Sequence, residues 1–365
     1  MTKGVLPDYF LHGNNLEISL FRLGIEVKSA HKRDKRSVQS STRSFHSMQQ
    51  LREDDVEIIQ YGTGEIWDQM RELVRMANWT THDAATWQLF PERKNIYPIF
   101  AIRKSDNYLL GGVALVETDI ALGAFYVMRP EVRGLGTGMK MMVHLLHLLH
   151  HELKDKAAIG RAVQAMYDKY SGPPFYAIHH HEMYRFMLPK EEILKMFPTT
   201  GSTLVPVSVK DMNPAQFEKV CAYDELVTGR NRREFLKEFY SIFFTNGVGL
   251  FDASGNVHGF IGAVPTVADS QVIKISPIFA SNNNDVGYLL KCILEMIPKP
   301  DAKYAIHPTT NSAGDWMLQK CRDADIPLVF CGTAGNSTHN NIIYKDPCKV
   351  ELMYAPMNSA LFFDR

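Results

Sequence analysis

The segment Arg133-Gly134-Leu135-Gly136-Thr137-Gly138 constrains this chain more than any other stretch. It follows an apolar run over residues 120–128 and Pro130, and it opens a stretch in which Met141, Met142, Leu145, Leu146, Leu148 and Leu149 recur at helical spacing. A strand that passes into a helix through closely spaced glycines presents bare backbone N–H groups at the helix N-terminus. Unpaired donors and the macrodipole both favour an anion there. Glycine leaves no Cβ between those donors and a ligand and allows the positive φ angles that a nest of N–H groups uses. A diphosphate is the anion such a loop suits.

Context narrows the choice. No Gly-Lys-Ser/Thr closes the loop, which sets aside the P-loop of nucleotide triphosphatases. The strands ahead of it read as an antiparallel meander, which disfavours a dinucleotide fingerprint. Residues 96–102 and 108–116 flank Lys104-Ser105-Asp106-Asn107, whose polar side chains suit a hairpin turn. Earlier still, residues 56–60 read as a strand, and Ile66, Trp67, Met70, Leu73, Val74 and Ala77 then recur on one helical face. A second helix is predicted over residues 83–90, stopped by Pro91. Past the long helix come an apolar strand at 157–159, a helix at 161–170, a Gly-Pro-Pro break and a strand at 175–180. The order is strand, helix, helix, three strands, helix, strand, helix, strand, with a connector at 189–203.

The second half repeats that order. Strands are expected at 204–209, 247–252, 257–264 and 271–275, with helices near 214–223, 232–244 and 285–297. A length of 365 residues also favours two domains. The expected divisions are a basic, serine-rich arm over 1–52, a first domain over 53–190 and a second over 203–365. The arm carries Lys32, Arg33, Lys35, Arg36 and Arg43 with little apolar periodicity.

With 45% hydrophobic and 22% charged residues the composition is that of a globular protein, and no run reaches the ~18 apolar residues of a membrane span. Forty basic and forty acidic residues cancel, so no long-range field draws the chain to nucleic acid or an anionic membrane. The five cysteines, Cys221, Cys292, Cys321, Cys331 and Cys348, show no zinc-type spacing and read as reduced thiols of an intracellular, cytoplasmic protein. His179-His180-His181-Glu182 does not read as a metal site, because alternate strand residues face opposite ways.

The segment from Met128 through Met139 resembles the acetyl-coenzyme A motif of the GNAT superfamily of N-acetyltransferases. There an Arg or Gln is followed at fixed spacing by Gly and then by Gly or Ala. Arg133, Gly136 and Gly138 fill those places, Pro130 also fits, and Met128 stands where the family often has valine. The resemblance covers residues 56–189. It implies that Val127 and Met128 touch the pantetheine arm through main-chain atoms, and that Arg133, Gly134, Leu135, Gly136, Thr137, Gly138 and Met139 wrap the pyrophosphate. It also implies a splay between the strand ending at Met128 and the next parallel strand, which would hold the thioester of acetyl-CoA.

The family attacks the thioester directly with a neutral amine, and a tyrosine on the last helix often protonates the leaving thiolate. Met166-Tyr167-Asp168-Lys169-Tyr170 is similar to that segment and makes Tyr167 the candidate general acid, with Tyr170 the neighbouring alternative. The structural reading of Tyr167 is an amphipathic tyrosine whose hydroxyl only finds a partner. Glu117 is the candidate general base, with Asp119 nearby, against the reading of a solvated strand-end carboxylate.

In the second half, Ala222-Tyr223-Asp224, Gly229-Arg230-Asn231-Arg232 and residues 275–280 resemble the C-terminal domain of tandem members. At the places of Arg133, Gly136 and Gly138 stand Ala280, Asn283 and Asp285, and Asp285 would repel a diphosphate. The resemblance therefore implies a mixed α/β fold of two GNAT-like acyl-CoA N-acyltransferase domains in tandem, the second degenerate. The expected activity is acetyl transfer to an amine of a small molecule or a protein, without a metal and without membrane or nucleic-acid partners. The alternative is a non-catalytic acyl-CoA-binding module.

Overall fold

The computed structural model describes residues 52–365 except Pro298, Pro300 and His339, so the arm expected over 1–52 lies, save Arg52, outside the described residues. The first half opens with β1 (Val56–Gln60), α1 (Gly64–Met76) and α2 (Ala84–Leu89). It continues with β2 (Ile96–Arg103), β3 (Tyr108–Glu117), β4 (Ala121–Met128) and α3 (Thr137–His151). It closes with β5 (Ala158–Ala162), α4 (Gln164–Ser171), β6 (Ile178–Leu188) and α5 (Lys190–Met196). The helix expected at 161–170 starts late: the strand runs on through Ala162, which makes Arg161 a strand residue. The connector at 189–203 contains α5, whose Ile193 is fully buried.

The second half comprises β7 (Val205–Ser208), α6 (Pro214–Thr228), α7 (Arg233–Ser241), β8 (Asn246–Phe251), β9 (Val257–Pro265) and β10 (Val272–Ala280). After these come α8 (Asn283–Met296), β11 (Lys303–Ile306), α9 (Gly314–Asp323), β12 (Val329–Ser337) and β13 (Met353–Ala355).

Strand order is β1-β2-β3-β4-β5-β12-β6-β11-β10-β9-β8-β7, with β13 paired to β10. Within this order β4/β5 and β10/β11 are parallel. From either end the sheet shows the same series: four antiparallel strands, a parallel fifth, then a strand supplied by the other half. Thus β12 runs antiparallel to β5, and β6 runs antiparallel to β11. The two halves meet by exchanging their last strands, and the β6/β12 pair is the seam.

Strand alternation separates the two faces of the first half. Ile99, Ala101, Val113, Leu115, Ala121, Met128 and Ala158 pack with Met141, Leu145 and Leu148 of α3. Phe100, Ala114, Leu122, Phe125, Val127 and Ile159 face α1 and α2, where Trp67, Trp87 and Phe90 form an aromatic cluster. Each such fully buried aliphatic or aromatic side chain stabilises the fold by roughly 1.5–3 kcal/mol. Buried ion pairs tie the halves together. Lys274 Nζ of β10 reaches Asp83 Oδ2 at 3.2 Å and the carbonyls of Thr81 and Asn358 at 2.9 and 3.0 Å. Asp83 in turn caps α2 through the Thr86 N–H.

Candidate active site

Strands β4 and β5 are in register at only three places, Ala121↔Ala158, Leu122↔Ile159 and Gly123↔Gly160. Beyond Gly123, β4 continues to Met128 and β5 to Ala162 without pairing to each other. The strands open into a slot along the edge of β4. The implied splay is therefore present in the structure.

At the end of β4 the chain turns through Pro130 and reaches α3. Gly134 and Gly136 hold φ of +87° and +81°, where a side chain is strained, and a Cβ at either would meet open space. Gly136 is the N-cap of α3, so the first N–H groups of that helix have no intrahelical acceptor. A Cβ on Gly138 would run into the hydroxyl of Tyr126, which lies beneath the loop. Thr137 is buried, whereas Leu135 and Met139 are 53% and 54% exposed at the rim. The Arg133 guanidinium turns back and donates to the Met128 carbonyl from Nε and Nη2 at 3.2 and 3.0 Å. Of the residues matched to the motif, Val127 and Met128 lie in the part of β4 that runs on past its pairing with β5, and the rest form the loop and first turn of α3 that follow.

A cavity of about 380 Å³ continues from this opening through the sheet. On the α3 side its walls are Tyr126, Met142, Leu145, Met166 and Tyr170. On the opposite side they are Trp79, Thr80, His82, Arg161, Arg185 and Phe330. Among the described residues no carboxylate side chain lines it.

The two predicted catalytic residues do not meet there. Glu117 sits at the closed end of the β4/β5 pair: its Oε2 accepts from the Tyr97 hydroxyl at 2.8 Å and its Oε1 is 3.3 Å from Lys156 Nζ. That hydrogen bond pushes the Tyr97 phenol up to about 12. Asp119 pairs with the buried Arg230 at 2.9 Å. Tyr167 stacks on His179, their ring centroids 3.9 Å apart, while Tyr170, one turn along α4, is the tyrosine of that helix in the cavity wall. Burial pushes the Tyr170 phenol above its ordinary range, so it is held protonated. His180 contacts Asn336 Oδ1 at 2.9 Å and His181 is buried, so the three adjacent histidines have separate surroundings.

Four further residues of the wall were not singled out by the sequence. His179 contacts Ser171 Oγ through Nε2 at 2.8 Å, its Nδ1 is buried without a partner, and burial lowers its pKa. Burial pushes His82 down to about 4, and its Nδ1 accepts from Trp87 Nε1 at 3.0 Å. Arg161 and Arg185 complete the set. The one legible signal was Arg161 itself, a lone charge in the otherwise apolar Ala158-Ile159-Gly160-Arg161-Ala162.

The equivalent region of the second half is closed. Strand β10 pairs with β11 only from Val272 to Ile275, and beyond that point β13 pairs with Ile278 and Phe279. The chain's own strand occupies the edge that β4 leaves free. The N-terminus of α8 is capped by Asn282, whose Oδ1 accepts from the Asp285 N–H at 3.0 Å. Residues 199–201 cover it through hydrogen bonds with Asn284.

An open β4/β5 slot beside a glycine nest, set in two such sheets, is the fold of the GNAT superfamily in tandem. Solved structures agree. An acetyltransferase candidate from Pyrococcus horikoshii superimposes with a TM-score of 0.58 at 14% identity, over 86% of this chain and 98% of its own. A tandem GNAT protein of the clavulanic acid biosynthesis pathway gives 0.57 at 12% identity, over 77% and 98%. No family model matches the chain. By sequence the chain belongs to one family with an uncharacterized protein of Caenorhabditis elegans, to which it is 31% identical over 223 residues, 60% of this chain and 69% of that one.

Proposed function

We propose that this chain is an N-acyltransferase that moves an acetyl group from acetyl-CoA to an amine, with its one working cofactor site at the loop 133–139 and the β4/β5 slot. The observation that carries this reading is the opening of β4 from β5 immediately beside an uncovered N–H nest. The nest would take the pyrophosphate, and the edge of β4 at Val127 and Met128 would pair with the amides of pantetheine once the Arg133 guanidinium leaves the Met128 carbonyl. The thioester carbonyl would then lie in the slot. The amine attacks it, a C–N bond forms and the C–S bond breaks; the nitrogen sheds a proton and the thiolate gains one.

Tyr170 is the better placed donor, since it lines the slot and burial keeps its phenol protonated. Tyr167, the donor that the family pattern implies, would support it through His179. For the nitrogen's proton we assign His179, an imidazole of the cavity wall whose pKa burial lowers and whose Nδ1 is buried without a partner. The five cysteines are free thiols, in keeping with an intracellular site of action.

Thermal unfolding with and without acetyl-CoA tests the site. Cofactor at a hundredfold over its Kd should stabilise the protein by about 2.7 kcal/mol. Met139→Glu is the discriminating variant. A carboxylate in the first turn of α3 stabilises the helix by about 0.3–1 kcal/mol while repelling a diphosphate, so the free protein should hold its melting temperature and lose the cofactor shift. No shift in the unaltered protein would sink the proposal. The absence of a carboxylate from the cavity wall favours a second reading, a module that binds acyl-CoA without turnover. Binding with no thiol release across a broad amine panel would select it.

A further inference from the structure

Among the described residues, Arg161 and Arg185 are the Lys or Arg side chains of the cavity wall, and neither forms an ion pair with an Asp or Glu side chain. Arg161 lies in β5 two residues after Ile159, so alternation puts it on the Trp67–Trp87 face of the sheet, away from α3. Its position under Phe363, with the guanidinium carbon 6.0 Å from the ring centre, agrees. Its Nη2 donates to the Arg365 carbonyl, while its Nε and Nη1 are buried with no hydrogen-bond partner. Arg185 lies in β6, the first-half strand that joins the second half's sheet, with β12 between it and β5. Its Nη1 donates to Thr80 Oγ1 at 3.2 Å, and its Nε is buried and unpartnered. Both arginines line the same cavity, together with Cys331 of the strand between them.

The backbone makes room for this convergence. Gly332 of β12 holds φ +138° at a register shift in the β6/β12 ladder, and a Cβ there would come within 2.9 Å of Arg161 Cγ. Without a side chain at 332, Arg161 lies across the intervening strand. Asp364, whose charge acts on Arg161, is occupied by Arg232 Nη1 at 3.4 Å and by the N–H groups of Met357 and Asn358. Burial lowers the Arg161 pKa to about 10, which leaves it charged at neutral pH. Buried guanidinium N–H groups without acceptors are costly, and the usual resolution is an anionic ligand that accepts from both forks.

Resting on the transferase reading above, we infer that the acceptor is a small amine bearing a carboxylate, of the amino-acid class, held by Arg161 and Arg185 on the face of the slot opposite α3. The cofactor then enters from the α3 side and its thioester meets the amine within the sheet. Trp79, Phe330 and Ala360 form the apolar surroundings of the acceptor's remaining atoms. A pair of planar forks matches a carboxylate, and it makes the acceptor's charge, rather than its side chain, the main selector.

The test uses the standard free amino acids and their decarboxylated amines, such as phenylalanine with phenethylamine and glycine with methylamine. Phosphoethanolamine serves as the phosphate counterpart. Binding is read by thermal unfolding, and transfer by thiol release with acetyl-CoA. The expected result is binding of at least one amino acid, a response to its decarboxylated partner at least tenfold weaker, and a roughly tenfold to hundredfold loss of affinity in Arg161→Gln and Arg185→Gln. Arg161→Lys, which keeps the charge and loses the fork, should fall between. Acetyl-CoA stabilisation retained in each variant shows that the fold and the cofactor loop survive. Equal response to the decarboxylated amines, preference for phosphoethanolamine, binding that persists in both Gln variants, or no amino-acid binding at all each overturn the inference. The acetyl-CoA shift, measured separately, decides the transferase reading.

Discussion

In the proposed reaction Tyr170 and His179 divide the chemistry between an acid held protonated and a base held neutral, and burial does both. Removing water from a phenol disfavours phenolate, and removing it from an imidazole disfavours imidazolium. Tyr170→Phe should therefore lower kcat by about a hundredfold or more while leaving KM for acetyl-CoA nearly unchanged; Tyr167→Phe should cost only a few-fold. Steady-state rates of the two variants check this, and the reverse order would return the donor to Tyr167. His82 gives a pH signature of its own. Its folded pKa is about 4 against the ordinary 6.5. The folded state thus refuses a proton that the unfolded state takes, and the stability it lends is full above pH 6.5 and lost as the pH falls towards 4. The slope from this group approaches 1.4 kcal/mol per pH unit. His82→Gln keeps an acceptor for Trp87 and should flatten that part of a denaturant-midpoint against pH curve.

Among the elements, the loop that follows β4 and the loop that precedes α2 do the positioning, and each depends on something distant. The wall of Thr80, Thr81 and His82 is held by Lys274, reaching across from β10 to Asp83 and the Thr81 carbonyl. Lys274→Met should cost about 3–5 kcal/mol in chemical denaturation, because Asp83 stays buried and loses its counter-charge. The first-half elements from β1 to α3 were legible because their apolar periods are clean and the glycines mark one transition. Arg161 was read as the start of a helix, since Ala162, Ala165, Met166 and Lys169 can be placed at helical spacing just as well; the pairing with β12 decides for strand. Strands β11, β12 and β13 gave no comparable signal. β12 reads Val-Phe-Cys-Gly-Thr-Ala-Gly-Asn-Ser, poor in β-formers, and it is a strand because neighbours on both sides satisfy its backbone. Glu117 reads from the sequence as a strand-end carboxylate facing the substrate side, and the side of the splay on which a strand end falls is a tertiary fact.

For the molecule as a whole, strand exchange makes the halves interdependent. A fragment spanning residues 52–203 would carry β5 without its β12 neighbour and β6 with no partner strand on either side. Such a fragment should fail to give a cooperative unfolding transition, and supplying residues 203–365 in trans should restore one, as followed by circular dichroism. Two units that merely touched would each melt alone.

The strand β13, seated along β10, can also be viewed as a ligand that never leaves. A tethered segment competes at an effective concentration in the millimolar range, without paying again for being brought to its site. Any free acyl-CoA at micromolar levels would meet an occupied edge in the second half and an open one in the first. Calorimetric titration should accordingly return one cofactor per chain, and the near-symmetry of the sheet would stay invisible to the solution around it.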